Sequence, residues 1–431
     1  MLYSNLSVNE KGHLTIAGLD AIELVNQYGS PLMVLDENRV RENCRTYINA
    51  VKEYLPQGSR PLYAGKAFCF KSLYNIIASE GMGADVVSPG ELYVVNAANF
   101  PLDNVYFHGN NKTDEDIAFA IESGLGRFVA DNRDELISIN RIAGEHSKTQ
   151  RVLLRLSPGI DPHTHAKIST GRVDSKFGTA IETGQAMELL EFALTLENIE
   201  VEGFHCHIGS QIFESEPFCD AADIMLKFVA DAKNKLGFIA KYLNLGGGFG
   251  VRYIESHPKI DIADNIRKLG EHVNAACQKF GIAAPAILLE PGRSIVADAC
   301  TTLYKIGSVK TITGYKSYVS IDGGMTDNPR YALYGSEYTV LNASKADKDA
   351  DFVCTIAGRC CESGDLIQEN VAVASPERGD ILAVLCTGAY NYSMASNYNR
   401  ICRPAVVIVK DGETRLGIRR ETFEDLIRYD M

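Results

Sequence analysis

Residues 62–131 read LYAGKAFCFKSLYNIIASEGMGADVVSPGELYVVNAANFPLDNVYFHGNNKTDEDIAFAIESGLGRFVAD, and their pattern is the strongest indication of the fold. Four short apolar runs begin at Leu62, Ala84, Val105 and Arg127, 21 or 22 residues apart. Amphipathic stretches such as EDIAFAIES lie between them, with the helical period of about 3.6 residues. Each repeat therefore predicts one strand, one helix and two tight loops.

The same alternation continues after residue 131 in longer units. Four more apolar runs follow, which are VLLRLS from Val152, VEGFHCHIG from Val201, KYLNLGG from Lys241 and AILLEPG from Ala286. Strands that alternate with helices pair in parallel, and eight such units can close into a barrel. We therefore predict an α/β fold with a (β/α)8 TIM barrel over residues 36–290. Periodicity alone leaves an open doubly wound sheet as the alternative.

The two ends of the chain have a different pattern. Five strand-like runs without long helices between them follow residue 295, from TTLYKIGSVKTI to RPAVVIVKDG. The start of the chain holds two more such runs, HLTIAG and PLMVLDE, ahead of a helix that starts near Glu37. We predict a second, all-β domain from residues 1–35 and 291–431, which is discontinuous in sequence.

Composition limits the class of protein. A length of 431 residues gives two or three domains at about 150 residues each, and 45% hydrophobic with 23% charged residues is typical of a globular chain. The net charge of −12 argues against nucleic acid or an anionic membrane as a partner. The chain has no apolar run of membrane-spanning length, no signal-peptide pattern, and eleven cysteines without a Cys-x-x-Cys spacing. We expect a cytoplasmic protein whose thiols are mostly buried.

The unusual residues fall at the carboxyl ends of the predicted strands, where barrel enzymes place their catalytic groups. Lys66 ends the first run, His207 the sixth, the glycines of Gly246–Gly248 the seventh, and Glu290 the eighth. We expect these groups to meet at one mouth of the barrel.

Each group suits one part of a single cofactor. Lys66 lies among apolar residues in YAGKAF, and a desolvated lysine is the usual partner of an aldehyde in a Schiff base; a lysine that reaches solvent is the alternative. NLGGGFG lacks the spacing of dinucleotide and P-loop motifs, but its backbone amides can wrap one phosphate; a tight turn is the alternative. Glu290 in LEPGRS can accept the N–H of a protonated pyridine, and a surface ion pair with Arg293 is the alternative. Together they point to pyridoxal 5'-phosphate.

Two pairs of histidines raise the question of a metal site. His205 and His207 are alternate residues, which share one face of a strand, and His163 and His165 have the same spacing. We find no nearby carboxylate that would complete a set of ligands at either pair. We therefore expect no metal.

Eleven motifs occur in the order of a known family. They are YAGKAF, DVVSPGEL, FHGNNK, HTHAKISTG, DSKFG, FHCHIGSQI, NLGGGFG, EPGRS, YALYG, CESGD and GAYNYSMASNYN. The chain resembles, nearly end to end, the diaminopimelate decarboxylase family within the alanine racemase and ornithine decarboxylase group of barrel-type pyridoxal-phosphate enzymes. The second domain would then be like the C-terminal domain of alanine racemase.

The resemblance implies roles for residues at matching positions. Lys66 would bond to the cofactor and His207 would lie against its ring, with Glu290 at the pyridine nitrogen. The phosphate would be held by Ser210, Gly246, Gly247, Gly248 and Tyr390. The substrate would contact Arg293, Arg330, Tyr334, Glu362 and Tyr390, and Cys361 would lie beside the reacting carbon. The resemblance also implies a homodimer in which Cys361 and Glu362 act in the partner's site.

The implied reaction converts meso-2,6-diaminopimelate to L-lysine and carbon dioxide, the last step of lysine biosynthesis. Arg293 and Arg330 suit the distal carboxylate of this substrate and Glu362 its ammonium. Either Cys361 or Lys66 would protonate the carbanion. Decarboxylation of another basic amino acid, racemisation, and a catalytically silent relative are the alternatives. The chain departs from the family's usual residues at Phe68, Pro89, Tyr331 and Cys360, which concerns specificity more than reaction class.

Overall fold

The computed structural model describes residues 3–160 and 175–431. His163 and His165, the second histidine pair, lie outside the described residues. Compactness divides the chain into two units. The barrel unit comprises Asn43–Gly250 and Lys259–Gly292, and the β unit comprises Met1–Glu42, Val251–Pro258 and Arg293–Met431.

Eight parallel strands form the barrel. They are β1 (Arg60–Ala64), β2 (Gly83–Val86), β3 (Val105–Phe107), β4 (Arg127–Ala130), β5 (Gln150–Ser157), β6 (Ile199–His205), β7 (Tyr242–Asn244) and β8 (Ala286–Leu289). Each pairs with the next along the chain, and β8 pairs with β1. The predicted TIM barrel is confirmed, and this closure excludes the open doubly wound sheet. A two-residue strand, Thr179–Ala180, also pairs with β5.

Within the described residues, eight helices precede or separate these strands. They are α1 (Glu37–Tyr54), α2 (Lys71–Glu80), α3 (Pro89–Ala97), α4 (Asp114–Ser123), α5 (Arg133–Glu145), α6 (Gln185–Ala193), α7 (Glu216–Leu236) and α8 (Ile262–Phe280). Local sequence fixes several helix starts, because Ser88 accepts a backbone N–H at the start of α3 and Thr113 forms a capping box with Asp116 at the start of α4. Inside the barrel, one buried apolar cluster draws on five strands through Leu62, Tyr106, Val129, Leu153 and Leu288.

The β unit contains a nine-stranded sheet. Its strands are Leu32–Asp36, Cys300–Ile312, Lys316–Ile321, Val340–Asn342, Phe352–Ala357, Leu366–Val373, Ile381–Val384, Ala405–Lys410 and Glu413–Ile418. Strand Leu32–Asp36 pairs on one side with Cys300–Ile312 and on the other with Ala405–Lys410. The predicted union of the two ends of the chain in one sheet is confirmed for this strand.

The HLTIAG run does not join the nine-stranded sheet to which the PLMVLDE run belongs. Its strand, Leu14–Ile16, pairs with Leu6–Val8 and Leu19–Asp20 in a separate three-stranded sheet. Four short helices complete the β unit, which are Ala21–Tyr28, Arg293–Val296, Arg330–Tyr334 and Phe423–Ile427. Among the described residues, we find no helix with both the length and the apolar character that crossing a membrane requires.

Candidate active site

The barrel unit contains a cavity of about 310 Å³ at the carboxyl ends of its strands. Lys66, His207 and Glu290, three residues singled out from the sequence, all line this cavity. The other lining residues are Asp85, Val87, His108, Gly109, Asn110, Arg155, Phe177 and His205. Their positions at strand ends therefore correctly predicted that these three side chains, which lie far apart in sequence, share one cavity.

Lys66 lies in a short 3-10 turn, Gly65–Ala67, directly after β1. Gly65 is required in this turn, because a Cβ atom there would lie 2.0 Å from the hydroxyl oxygen of Tyr74. On the other side of the lysine, Tyr63 donates a hydrogen bond of 2.7 Å to the carbonyl oxygen of the buried Phe68. The backbone around Lys66 is thus fixed by packing, while its half-buried side chain lines the cavity.

Glu290, which directly follows β8, is surrounded by hydrogen-bond donors. Asn244 donates to Oε1 at 2.6 Å, and Nε2 of His205 lies 3.2 Å from Oε2. Nε2 of His108 is 2.9 Å from Oε1, in close contact but outside the geometry of an aligned hydrogen bond. Burial raises the pKa of a carboxyl group, but His108 and His205 outweigh burial and lower the pKa of Glu290 well below its ordinary value. The buried carboxylate therefore stays ionised.

The histidines of the cavity are neutral at neutral pH. Burial lowers the pKa of His205 to about 3, and it also lowers the pKa values of His108 and His207. A neutral His205 can still carry the hydrogen that points at Glu290. The sequence argument that no carboxylate lies near His205 is wrong, because the pairing of barrel strands brings Glu290 to its ring. His108, His205 and Glu290 form a group close enough to hold a metal ion.

Asp85, at the end of β2, is a second buried carboxyl group of the cavity. Burial and the charge of Glu290 raise its pKa well above the ordinary value. Its Oδ1 atom is buried without a hydrogen-bond partner, as is Nδ1 of His205. Unpaired buried polar atoms cost free energy. Each of these two cavity residues therefore carries one buried polar atom without a hydrogen-bond partner.

The glycine loop after β7 has no room for side chains. A Cβ atom at Gly247 would lie 2.0 Å from the carbonyl oxygen of Glu290, and one at Gly248 would lie 2.5 Å from that of Gly209. The backbone N–H of Gly247 donates to Nδ1 of His207 at 3.3 Å. Nearby, the N–H of Ile212 donates to the carbonyl oxygen of Gly248 at 2.9 Å. This pairing brings the segment that carries Ser210 alongside Gly246–Gly248.

The barrel unit thus fits the three chemical handles of pyridoxal phosphate. It offers an amine on Lys66 for the aldehyde and an ionised carboxylate on Glu290 for a protonated ring nitrogen. A loop of bare backbone beside Ser210 suits the phosphate. The orphaned polar atoms of Asp85 and His205 are consistent with a polar ligand. The residues present therefore fit the cofactor.

In the β unit, two predicted substrate residues, Arg293 and Arg330, meet at Tyr253. We call these three residues the arginine cluster. Each arginine begins a short helix and is only 6% exposed. Both guanidinium groups donate to the hydroxyl oxygen of Tyr253, from Arg293 at 2.8 Å and from Arg330 at 3.0 Å. Arg330 also donates to the hydroxyls of Ser336 at 3.1 Å and Tyr338 at 3.4 Å. The cluster therefore brings two positive charges to one neutral hydroxyl.

Four other predicted site residues, Tyr334, Cys361, Glu362 and Tyr390, also belong to the β unit. The ring of Tyr390 is 4.7 Å from the guanidinium carbon of Arg293. Tyr334 is half-buried at the end of helix Arg330–Tyr334. Cys361 and Glu362 are exposed on the loop after strand Phe352–Ala357, where the N–H of Cys361 donates to Oδ1 of Asn399 at 2.7 Å.

Sequence reasoning missed four residues that the geometry adds to these sites. His108 follows β3 and Asp85 belongs to β2, so the strand-end rule could have found both of them. Asn244 ends β7 and was treated only as part of the glycine motif. Tyr253 carried no signal, because nothing in its local sequence reveals that two distant arginines meet on its hydroxyl.

Comparisons with known proteins agree with these observations. Residues 38–297 match the model of the family described as pyridoxal-dependent decarboxylase, pyridoxal binding domain. The chain is 43% identical to diaminopimelate decarboxylase of Bacillus subtilis, covering 100% of this chain and 98% of the relative, and 45% identical to that of Bacillus methanolicus, covering 97% of each. The solved structure of diaminopimelate decarboxylase from M. jannaschii in complex with L-lysine superposes with a TM-score of 0.91 at 36% identity, covering 99% of this chain and 98% of that one.

Proposed function

The chain belongs to the diaminopimelate decarboxylase family of pyridoxal-dependent decarboxylases, and on this premise we propose that it converts meso-2,6-diaminopimelate to L-lysine and carbon dioxide. It is then a carboxy-lyase of the last step of lysine biosynthesis. The observation that carries the substrate assignment is the buried arginine cluster, whose two cations meet on a neutral hydroxyl. Such a cluster suits an anionic group of the substrate.

Most of the residues that would hold the cofactor belong to the barrel unit. The amine of Lys66 would bond to its aldehyde carbon, and Oε2 of Glu290 would accept the N–H of its pyridine ring. Asn244, His108 and His205 hold that carboxylate in place. His207 would lie against the ring. The phosphate would bind Ser210, the Gly246–Gly248 loop and Tyr390.

The chemistry divides between the cofactor and the protein. When bound, pyridoxal phosphate accepts the electron pair that the departing carboxylate leaves on the α-carbon. The negative charge of the ionised Glu290 would stabilise the protonated, positively charged ring nitrogen. The α-carbon then needs one proton, which either the thiol of Cys361 or the ammonium of Lys66 would deliver.

The far end of the substrate is a zwitterionic amino acid. We assign its carboxylate to Arg293 and Arg330, with Tyr334 and Tyr390 beside them, and its ammonium to Glu362. Substrates such as L-ornithine or L-lysine carry only an ammonium at that end. Two buried guanidinium groups would repel it, which disfavours a decarboxylase of another basic amino acid.

We further propose a homodimer in which each protomer lends Cys361 and Glu362 to its partner's site. Both residues are exposed in the single chain, which supports this proposal, because a reacting thiol and a carboxylate that binds substrate need to be shielded from water.

We also propose a cytoplasmic location and two functional domains. The eleven cysteines, all within the described residues, are free thiols, which supports the cytoplasmic location. The family match over residues 38–297 supports a first functional domain over residues 36–290, with residues 1–35 and 291–431 as the second domain.

The test of the activity is a substrate panel. The enzyme loaded with pyridoxal phosphate is mixed separately with meso-diaminopimelate, L-lysine, L-ornithine and L-arginine, and released carbon dioxide is measured. We expect release from meso-diaminopimelate, with an equal amount of L-lysine formed. Release from only the other three amino acids would contradict the substrate assignment.

The test of the shared site is subunit complementation. Lys66→Ala and Cys361→Ala proteins, each of which we expect to have little activity, are mixed and allowed to exchange subunits. Random exchange puts half of the protomers into mixed dimers with one intact site each, so we expect about a quarter of the wild-type activity. If both residues served the same protomer's site, the mixed dimers would contain no intact site and activity would not return.

A further inference from the structure

The hydroxyl group of Tyr253 has an unusual set of partners. A phenol oxygen has two lone pairs and one hydrogen. Here both lone pairs accept hydrogen bonds from cations, one from Arg293 at 2.8 Å and one from Arg330 at 3.0 Å. The hydroxyl hydrogen must therefore point away from both guanidinium groups.

This hydrogen has no acceptor among residues 3–160 and 175–431, although the Tyr253 side chain is only 3% exposed. A buried donor without an acceptor costs free energy. Two like charges that share one neutral oxygen also repel each other. An anion that accepts from the hydroxyl and from both guanidinium groups would relieve both costs.

Tyr253 is held firmly by its surroundings. Its carbonyl oxygen accepts from the backbone N–H of Thr339 at 3.2 Å and from the Thr339 hydroxyl at 2.9 Å. Its own N–H donates to Nδ1 of His257 at 3.2 Å. Its ring packs edge-to-face against Tyr338, with 5.5 Å between ring centroids. The hydroxyl is therefore positioned in advance of ligand binding, which reduces the entropic cost of binding.

We propose that Tyr253 is a substrate-binding residue that holds Arg293 and Arg330 together and donates its hydroxyl hydrogen to the distal carboxylate of the substrate. This inference rests on the proposed function for the identity of the carboxylate. A carboxylate offers about four lone-pair sites, enough for three convergent donors. A ligand without that carboxylate gains nothing from Tyr253.

The test compares two amines that differ only in the carboxylate. L-lysine carries it and cadaverine lacks it, and each has an amine that can react with the cofactor. Binding of both is measured by calorimetry on wild-type and Tyr253→Phe holoenzyme. We expect the substitution to weaken L-lysine binding about tenfold, to change cadaverine binding less than about twofold, and to leave pyridoxal phosphate affinity unchanged. With meso-diaminopimelate, KM rises about tenfold and kcat changes little.

Tyr338→Phe is the matched comparison, because the Tyr338 hydroxyl accepts from one of the two arginines, Arg330, and at the longer distance of 3.4 Å. We expect a smaller loss of L-lysine binding from it than from Tyr253→Phe. Equal weakening of L-lysine and cadaverine, or no weakening of either, overturns the inference, as does a larger loss in Tyr338→Phe. A loss of pyridoxal phosphate affinity would assign the anion to the cofactor's phosphate and overturn it as well.

Failure of the proposed function gives a different pattern. In that pattern, the wild-type enzyme releases no carbon dioxide from meso-diaminopimelate while Tyr253→Phe still selectively weakens the binding of L-lysine. That result would contradict the proposed activity but support the binding role of Tyr253.

Discussion

The barrel cavity and the arginine cluster both bury charge, but they balance it in opposite ways. In the barrel, Glu290 carries a negative charge that Asn244 and neutral histidines already stabilise. In the cluster, Arg293 and Arg330 carry positive charges that meet on the hydroxyl of Tyr253. A carboxylate that is fully held in place suits a permanent cofactor, whereas two cations that meet on one neutral hydroxyl suit a ligand that arrives and leaves with each turnover.

This contrast predicts that changes in the two regions affect different kinetic parameters. If the proposed assignments hold, changes in the barrel cavity should act on cofactor binding and kcat, because they would affect the reacting carbon. Changes in the arginine cluster should act on KM, because they would affect the end of the substrate that does not react.

The largest effect is expected for Lys66→Ala. Loss of the amine that we propose bonds to the cofactor should lower kcat about 10³-fold or more and abolish the visible absorption band of the bound cofactor. Lys71→Ala, a change of an exposed lysine at the start of α2, is the control and should keep both. A Lys66→Ala protein with the wild-type band would contradict the role of Lys66.

Glu290→Gln should have the next largest effect. The amide has nearly the same shape but no negative charge to favour a protonated ring nitrogen, so we expect kcat to fall about 10²-fold. Steady-state assays with Glu200→Gln, an exposed glutamate on β6, provide the control. A tenfold rise in KM with normal kcat would place Glu290 in substrate binding and break the comparison.

Arg330→Met should act on KM rather than on kcat. Hydrogen bonds to a charged group contribute about 2 kcal/mol, so KM for meso-diaminopimelate should rise roughly thirtyfold while kcat changes less. Arg359→Met removes an exposed arginine of the same unit and should behave as wild type. An equal fall in kcat with unchanged KM would mean that the cluster acts on the chemical step.

The smallest effect concerns the protonation of His205. Burial lowers its pKa to about 3, so NMR of ¹³C-histidine-labelled protein, assigned with His205→Gln, should show a neutral ring down to about pH 4. The unfolded chain takes up this proton near pH 6.5, so the stabilising contribution of His205 is complete above that pH. It decreases as the pH falls toward 3. A titration midpoint near 6.5 in the folded protein would show that the ring is not buried as described.

The sequence allowed the barrel to be predicted almost strand by strand, because alternation of apolar runs and amphipathic stretches is a local property. It also predicted that Lys66, His207 and Glu290 lie together, since barrel geometry directs strand ends to one mouth. Local sequence could not show that Glu290 lies beside His205, which is 85 residues away. Nor could it show that Arg293 and Arg330 share Tyr253, because that contact depends on tertiary packing of three separate segments.

The most direct test of the account is a crystal structure of the holoenzyme with L-lysine bound. We predict that the carboxylate of L-lysine lies within about 3 Å of guanidinium nitrogens of both Arg293 and Arg330, and that the pyridine nitrogen of the cofactor contacts Oε2 of Glu290. A carboxylate bound away from both arginines, or a pyridine nitrogen without Glu290, would contradict the assignment of the two regions.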